Sequence, residues 1–341
     1  MNFLGSIRQR VVLVVPLFLG LAATVTGGPI NGTIYYTTYN PVATPNGNRN
    51  VWKVDYNYDG TSTFGLSNNT GIALTNGADG IIFSTNGTLL VGGQGVGTGA
   101  PIHQLPTSGA PITSVSAGSP GGAYHLAMDP SGTKVWVTGI PSDLGEVPIA
   151  GGNLTVGGTP RNVTGSTSVI TSLAFVPGGS VYYTSSGPNG VGSYGTIDMT
   201  TFVTTQIGTG NFAHGMAYDP FTGKVLMFGS NLIAALDTGT NAVTTRTIGT
   251  GPFDQGTVDG KGHLFVACNC GDFLFVDYTS SLDPTSGSNF TSYQFLNSYL
   301  DDVAPLSGLG SDTSVPEPST YASVLSGLGL LITLLRRRGS A

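Results

Sequence analysis

The chain is poor in charge. Only 9% of its 341 residues are Asp, Glu, Lys or Arg, well under the roughly 25% of an ordinary globular protein, which leaves no blocks of like charge of the kind that form disordered interaction tails. Two cysteines cannot supply a disulfide framework or a Cys-rich metal site. Helical periodicity is absent throughout the middle of the chain. The two long apolar runs, Val11 to Ala22 and Tyr321 to Leu335, both fall short of the roughly twenty residues of a stable membrane span. The sequence also lacks a His-Glu-x-x-His pair, a Gly-x-Ser-x-Gly elbow and a phosphate loop. Gly95-Val96-Gly97-Thr98-Gly99-Ala100 follows a strand-like segment, but Pro101 and the extended residues after it exclude the helix that a dinucleotide site needs.

What is abundant is glycine, 53 residues, together with 39% apolar residues, enough to build a sizeable core with many turns. The charge that exists is unevenly placed. Five of the twelve basic residues (Arg8, Arg10, Arg336, Arg337, Arg338) sit near the ends, and Pro29 to Ser314 holds seven basic against seventeen acidic residues, a formal charge of −10. Nucleic acid is therefore not an expected partner, since affinity for a polyanion comes from a basic surface. Divalent cations and neutral glycans are easier to accommodate.

Both ends read as targeting segments. Arg8 and Arg10 precede the apolar run Val11 to Ala22, followed by Ala23, Thr24 and Gly27, the order of a secretory signal that signal peptidase would cut between Ala23 and Gly28. At the other end Val315-Pro316-Glu317-Pro318-Ser319-Thr320 leads into Tyr321 to Leu335 and then Arg336-Arg337-Arg338. The arginines hold their side of the short apolar run in the cytoplasm, and its length suits a transient anchor. Three features in this order resemble the PEP-CTERM sorting segment. The resemblance covers the last thirty residues and implies recognition of Pro316, Glu317 and Pro318 by an exosortase-type processing enzyme, with the body released to the cell envelope or beyond, in organisms that often make exopolysaccharide. The expected division is a signal peptide over 1–27, a body over 28–310 and a sorting and anchor segment over 311–341, with a helix at each end.

The body is a repeat. A short apolar strand, a turn rich in Asp, Pro and Gly, and a second strand recur: Ile81-Ile82-Phe83 to Leu89-Leu90-Val91, Leu126-Ala127-Met128 to Val135-Trp136-Val137, Leu173-Ala174-Phe175 to Val181-Tyr182-Tyr183, Met216-Ala217-Tyr218 to Val225-Leu226-Met227, and Gly256-Thr257-Val258 to Leu264-Phe265-Val266. The spacing of roughly 40 to 47 residues is that of a four-stranded propeller blade. Alternation in Leu232 to Asp237 and Thr244 to Ile248 supplies two further strands in the fourth copy. Near the C-terminus Asp302 to Gly308 reads as an inner strand without a successor, while Thr33 to Tyr36, Val51 to Val54 and Thr61 to Phe64 read as outer strands without an inner one. Joining the two ends closes an all-β propeller of six blades and leaves no long unpaired edge. The count becomes five or seven if the segment from Asp283 to Leu300 is counted differently.

Inner strands line the central channel, so the residues just before each triplet, Asp79, His125, Ser172, His214, Gln255 and Asp302, are expected around one mouth. Among these Asp79, His125, His214 and Asp302 can ligate a divalent metal or orient a polar ligand; polar filling of a solvated mouth, with hydrogen bonds to the blade backbones, is the simpler account of them. Ala213-His214-Gly215-Met216-Ala217 is similar to repeats in the virginiamycin B lyase family, over five residues only. His103 and His263 fall on outer strands and are expected at the surface. Asp55-Tyr56-Asn57-Tyr58-Asp59-Gly60 matches the first half of a calcium loop through Asp55, Asn57 and Asp59, although Leu66 stands where a bidentate Glu belongs; an Asp-Gly hairpin turn accounts for the same residues. Cys268 and Cys270 point to one side of a strand with Cα atoms near the limit for a disulfide, so a bond requires a bend toward Gly271.

Two functional readings follow. The first is an exported propeller that binds an extracellular polysaccharide, matrix component or small ligand without catalysis. The second is a metal-dependent hydrolase or lyase at the channel mouth; a structural matrix component is a third. A divalent metal such as calcium is the one cofactor these residues suggest.

Overall fold

A computed structural model describes residues 28–306 except 94–100, 110–111, 117–122, 141–142, 166–168, 186–190 and 250. The signal segment, the Gly95 to Ala100 turn, Ser307 and Gly308, the Pro316-Glu317-Pro318 motif and Arg336 to Arg338 lie outside the described residues. Within them every regular element is a strand, and the strands form six sheets.

Blades one to five follow the chain. Blade one comprises Ile81–Phe83, Leu89–Gly92, Pro101–Leu105 and Thr113–Ser116. In blade two, Leu126–Met128, Lys134–Ile140 and Asp143–Ala150 are completed by an interrupted outer edge, Asn153–Leu154 and Thr159–Asn162. Blade three, Ile170–Phe175 to Val203–Gly210, carries an extra short strand, Thr164–Gly165, parallel to its outer edge. Blades four and five run from Gly215–Asp219 to Val243–Thr247 and from Phe253–Val258 to Phe290–Phe295. The sixth blade is made by both ends: Leu300–Val303 is its inner strand, followed outward by Ile30–Val42, Arg49–Tyr58 and Phe64–Ala73. The third of these starts at Phe64 rather than Thr61, because Thr61, Ser62 and Thr63 all donate backbone N–H bonds to Asp59 Oδ1 in the preceding turn. The segment from Asp283 to Leu300 adds no blade; it forms a long loop and the outer strand Phe290–Phe295.

Period-two alternation explains the packing, because a strand in the middle of a blade sends successive side chains to opposite neighbours. Leu89 and Val91 pack toward blade six while Leu90 packs toward blade two. Val135 and Val137 meet blade one and Trp136 meets blade three. Leu264 and Val266 face blade four and Phe265 faces blade six. Six apolar clusters result among the described residues, one between each pair of adjacent blades. The fifth-to-sixth interface is the aromatic one. Phe64 and Phe275 stack with centroids 4.3 Å apart, and Tyr58 packs on Phe275 at 4.8 Å. Phe64 and Tyr58 lie on the N-terminal strands of blade six, so these rings pack the beginning of the chain against blade five, beside the strand Leu300–Val303 that continues from it.

His103 and His263, expected at the surface, are both buried. Strands two and three of a blade are covered by the neighbouring blades, so a polar residue there needs an internal partner. His103 Nδ1 lies 2.9 Å from Ser114 Oγ, and His263 Nδ1 lies 2.7 Å from Asp259 Oδ2 with its ring stacked on Phe275.

Replacing Phe275 by Ala removes a fully buried ring from the aromatic interface. The expected loss is about 3–5 kcal/mol of unfolding free energy, measured by chemical denaturation; a loss under about 1 kcal/mol would show that the aromatic cluster does not hold the N-terminal strands against blade five.

Candidate metal centre at the channel mouth

Each inner strand begins at the same end of the channel, and buried hydroxyls hold the blades in step there. Thr37 Oγ1 donates to the Asp79 carbonyl at 2.6 Å, Thr138 Oγ1 to the Thr171 carbonyl at 2.6 Å, and Thr184 Oγ1 to the His214 carbonyl at 2.5 Å. In each case the second strand of one blade grips the mouth residue of the next. Glycine allows the close approach this requires: a Cβ at Gly80 would sit 2.5 Å from the Tyr124 carbonyl oxygen and 2.8 Å from His125 Cα. The side chains of Asp79 and His125 are thereby brought to the axis from adjacent blades.

His125 occupies the centre. Its Nδ1 lies 2.7 Å from the Thr171 carbonyl; a carbonyl only accepts, so Nδ1 carries the proton and Nε2 is the free end. Nε2 stands 3.2 Å from Asp302 Oδ1 and 3.3 Å from Asp254 Oδ1. His214 Nε2 lies 2.8 Å from the same Asp254 oxygen, and the two imidazoles meet edge to face at 5.5 Å. Two triads of potential ligand atoms, His125–His214–Asp254 and Asp79–His125–Asp302, each fall within 4.8 Å and share His125. Two donors held by one ion at about 2.0–2.2 Å stand about 3–3.5 Å apart, the spacing found around Nε2.

The carboxylates outnumber the imidazoles. Asp79, Asp254, Asp301 and Asp302 are all nearly inaccessible, whereas the ion pairs that Lys and Arg make among the described residues meet at Glu146. Asp301 Oδ2 and Asp302 Oδ1 are buried without an aligned hydrogen-bond donor, and so is Asn269 Oδ1. Burial of unsatisfied carboxylate oxygens is costly unless a cation meets them. Burial opposes charge on His125, but Asp302 and Asp254 outweigh it and hold the imidazolium well above the usual histidine range. Burial would likewise raise Asp254, yet hydrogen bonds from His125 and His214 hold it well below the ordinary carboxylate value. Asp301 is pushed well above that value by burial and by Asp79, Asp254 and Asp302. Asp302 is also raised by burial, against the pull of His125.

The cluster opens into a cavity of about 350 Å³ lined by Tyr39, Asp79, Tyr124, His125, His214, Asp254, Asn269 and Asp301. His214 is half-exposed at its edge, with 42% of its side chain accessible, while His125 lies at its floor. Asn269 is set there by the turn that ends the second strand of blade five. Cys268 and Cys270 form a disulfide across it with Cα atoms 5.0 Å apart, the backbone bends at Gly271 (φ +94°), and the Asn269 N–H donates to the Pro252 carbonyl.

The structure brings Asp79, His125, His214 and Asp302 together and shifts two of the six expected ring positions by one residue. Gln255 is drawn away: its Oε1 accepts from the Met216 N–H and its Nε2 donates to the Met216 carbonyl. Asp254 faces the axis instead, because the inner strand bulges between Phe253 and Gly256 and a bulge re-aims the side chains beside it. A similar irregularity between Ile170 and Ser172 puts Thr171, not Ser172, against His125 and His214, to whose carbonyl its hydroxyl donates. Asp301 joins Asp302 through a third irregularity where the inner strand pairs with Tyr36 and Thr38. Asp254 and Asp301 were therefore missed; the doublets Asp254-Gln255 and Asp301-Asp302 were the available signal. The Asp55, Asn57 and Asp59 positions make no such convergence. Asp55 accepts from Thr33 and Asn68, Asn57 sits on a strand paired on both sides, and Asp59 caps its own turn.

Comparison with known proteins adds to this at the C-terminal end. Residues 314–338 match the PEP-CTERM protein-sorting motif, which implies processing by an exosortase and export through a membrane-anchored sorting step. No curated protein matches the chain. The fold is similar to a solved structure, the β-propeller domain of Cps50 (Swd1) from Myceliophteria thermophila, at 10% identity over 64% of this chain and 71% of that one, with a TM-score of 0.45.

The charge balance of the mouth sets a pH dependence for protein held in chelator. A histidine raised above its unfolded value near 6.5 contributes stability that is complete below that value and lost as pH rises through the folded one. His103, lowered by burial, has the opposite sign and is exhausted above about pH 7. Asp301, raised as well, contributes with the same sign, so stability in chelator, followed by the melting temperature, is expected to fall as pH rises above about 7, by up to about 1.4 kcal/mol per pH unit for each such group, and the His125→Gln variant should have a shallower slope. A wild-type melting temperature that stays flat or rises over this range would contradict the assignment.

Proposed function

We propose that this protein is an exported propeller, released by a signal peptide and sorted through its C-terminal motif to the cell envelope or its surroundings, that holds one divalent metal ion at the channel mouth and uses it to bind an oxygen-rich extracellular ligand. The observation that carries the reading is convergence: five of the six blades deliver Asp79, His125, His214, Asp254, Asp301 and Asp302 to one point, where four buried carboxylates share two imidazoles. A purely structural matrix role gives no reason for that expense. Mixed imidazole and carboxylate donors suit a first-row transition ion such as zinc, manganese or iron better than calcium, which prefers oxygen alone. His125, Asp254 and Asp302 would hold the ion from the buried side, and His214 from the edge of the cavity.

Metal content of the full chain, purified without chelator and measured by mass spectrometry, tests the reading. One equivalent of a transition metal is expected in the wild type and less than about a tenth of that in a His125→Ala, His214→Ala double variant, with Asp301→Asn intermediate. A metal-free wild type that takes up no added zinc, manganese or iron would remove the reading.

A second reading, metal-assisted hydrolysis or elimination, is favoured by one feature. His214 is both accessible and oriented by the Asp254 carboxylate at 2.8 Å, the arrangement of a general base within reach of a bound ligand. Turnover abolished by His214→Gln with the metal retained would establish it; binding without turnover leaves the first reading.

A further inference from the structure

The edge of the cavity is aromatic in a chain whose aromatic residues are otherwise mostly inside. Tyr39 and Tyr124 line it, and Tyr299, which immediately precedes the inner strand carrying Asp301, meets Tyr39 edge to face at 5.2 Å. Tyr124 is 38% exposed and Tyr299 is 43% exposed. These rings are held in place rather than loosely tethered. The Tyr124 ring lies directly on Gly139, where any side chain would collide with it. Tyr299 adopts a left-handed backbone, φ +67°, a conformation that a bulky residue rarely takes and that tends to mark functional positions. The Tyr39 N–H, donating to the Tyr299 carbonyl at 3.0 Å, ties the strained residue to the neighbouring strand.

A fixed, exposed aromatic edge above a polar floor selects a ligand with an apolar face and a polar rim. Pyranose rings have this character: their C–H faces stack on aromatic rings, and vicinal hydroxyls chelate a metal or bond to carboxylates. The charge of the floor narrows the class. Even with Asp301 set aside, the carboxylates of Asp79, Asp254 and Asp302 outnumber the charges of one divalent ion, so a phosphate, sulfate or uronate would be repelled. The cavity, about 350 Å³, is at the small end of ligand sites and takes about one or two sugar rings.

We propose that the mouth is a lectin-like subsite for the terminal ring of a neutral glycan, stacked by Tyr124 and Tyr39, the latter braced by Tyr299, and held through its hydroxyls at the metal. The inference rests on the metal reading above for its second anchor, and the tyrosines belong to the stacking edge, not to the ligand set of the ion.

The test uses the full chain, loaded with zinc or manganese and screened against immobilised oligosaccharides ending in glucose, galactose, mannose or N-acetylglucosamine, with uronate-terminated chains alongside; affinities follow by titration calorimetry with the methyl glycoside of the best-bound sugar. Binding of a neutral-ended glycan is expected, lost on chelation, and weakened about tenfold by Tyr124→Ala and by Tyr39→Ala with metal stoichiometry unchanged. Tyr124→Phe should retain most of it, since stacking needs the ring and not the hydroxyl. Metal-loaded wild type that binds none of the neutral glycans at millimolar concentration, that prefers the uronate chains, or that binds equally well in both alanine variants overturns the inference and leaves the metal reading standing. Glycan binding that persists undiminished in chelator and still depends on the tyrosines overturns the metal anchor alone.

Discussion

The pairing of Leu300–Val303 with Ile30–Val42 is the constraint on which both the ring and its mouth depend. It is a short ladder: Val303 opposite Tyr36 and Leu300 opposite Thr38 are its register points. Yet it gives the last blade an inner strand, covers the edge that the N-terminal strands would otherwise present, and delivers Asp301 and Asp302 to the axis. Thr37, on the receiving strand, donates to the Asp79 carbonyl and accepts from the Asp302 N–H. One hydroxyl thus joins the last inner strand to the first blade. Shape and chemistry at this point have the same cause.

Around that closure the interior divides into two regimes. Between the blades the clusters are apolar and repetitive, and alternation alone specifies them. At the mouth the packing is polar, and buried carboxylates lie close to one another at a cost that His125 and His214 offset in part and a cation would offset further. Register shifts occur in outer pairings of several blades as well, but those at the inner strands of blades five and six have a consequence at the mouth, because they stand beside Asp254, Asp301 and Asp302.

Much of the fold was legible because a blade repeats its own grammar. The triplets, the Asp-rich turns and the split closing blade could be read from spacing, and the alternation within strands such as Leu89 to Val91 fixed which neighbour each side chain meets. The mouth was legible only to within a residue. Counting back from Gly256-Thr257-Val258 gives Gln255, and counting back from Leu173-Ala174-Phe175 gives Ser172; bulges move the axis-facing position to Asp254 and Thr171, and a bulge has no signature in a single strand. One regularity was present and unused: Tyr36-Thr37, Val137-Thr138 and Tyr183-Thr184 end their apolar runs in threonine at the positions whose hydroxyls grip the next blade. The burial of His103 and His263 could not be read from strand order alone, since a polar residue in a covered strand betrays itself only through its partner, Ser114 or Asp259.

The split sixth blade also sets an order in time. Residue 36 cannot find its inner partner until residue 303 has been made and delivered, so a chain that emerges N-terminus first spends nearly its whole passage as an open arc of blades with a bare inner edge. Contacts of such long range form late and slowly. The ring therefore closes no earlier than about when the sorting motif at residues 314–338 arrives, and the cluster at the mouth, which needs Asp301 and Asp302, is complete no earlier either. Closure of the body and arrival of its sorting motif are brought close together by the position of a four-residue strand.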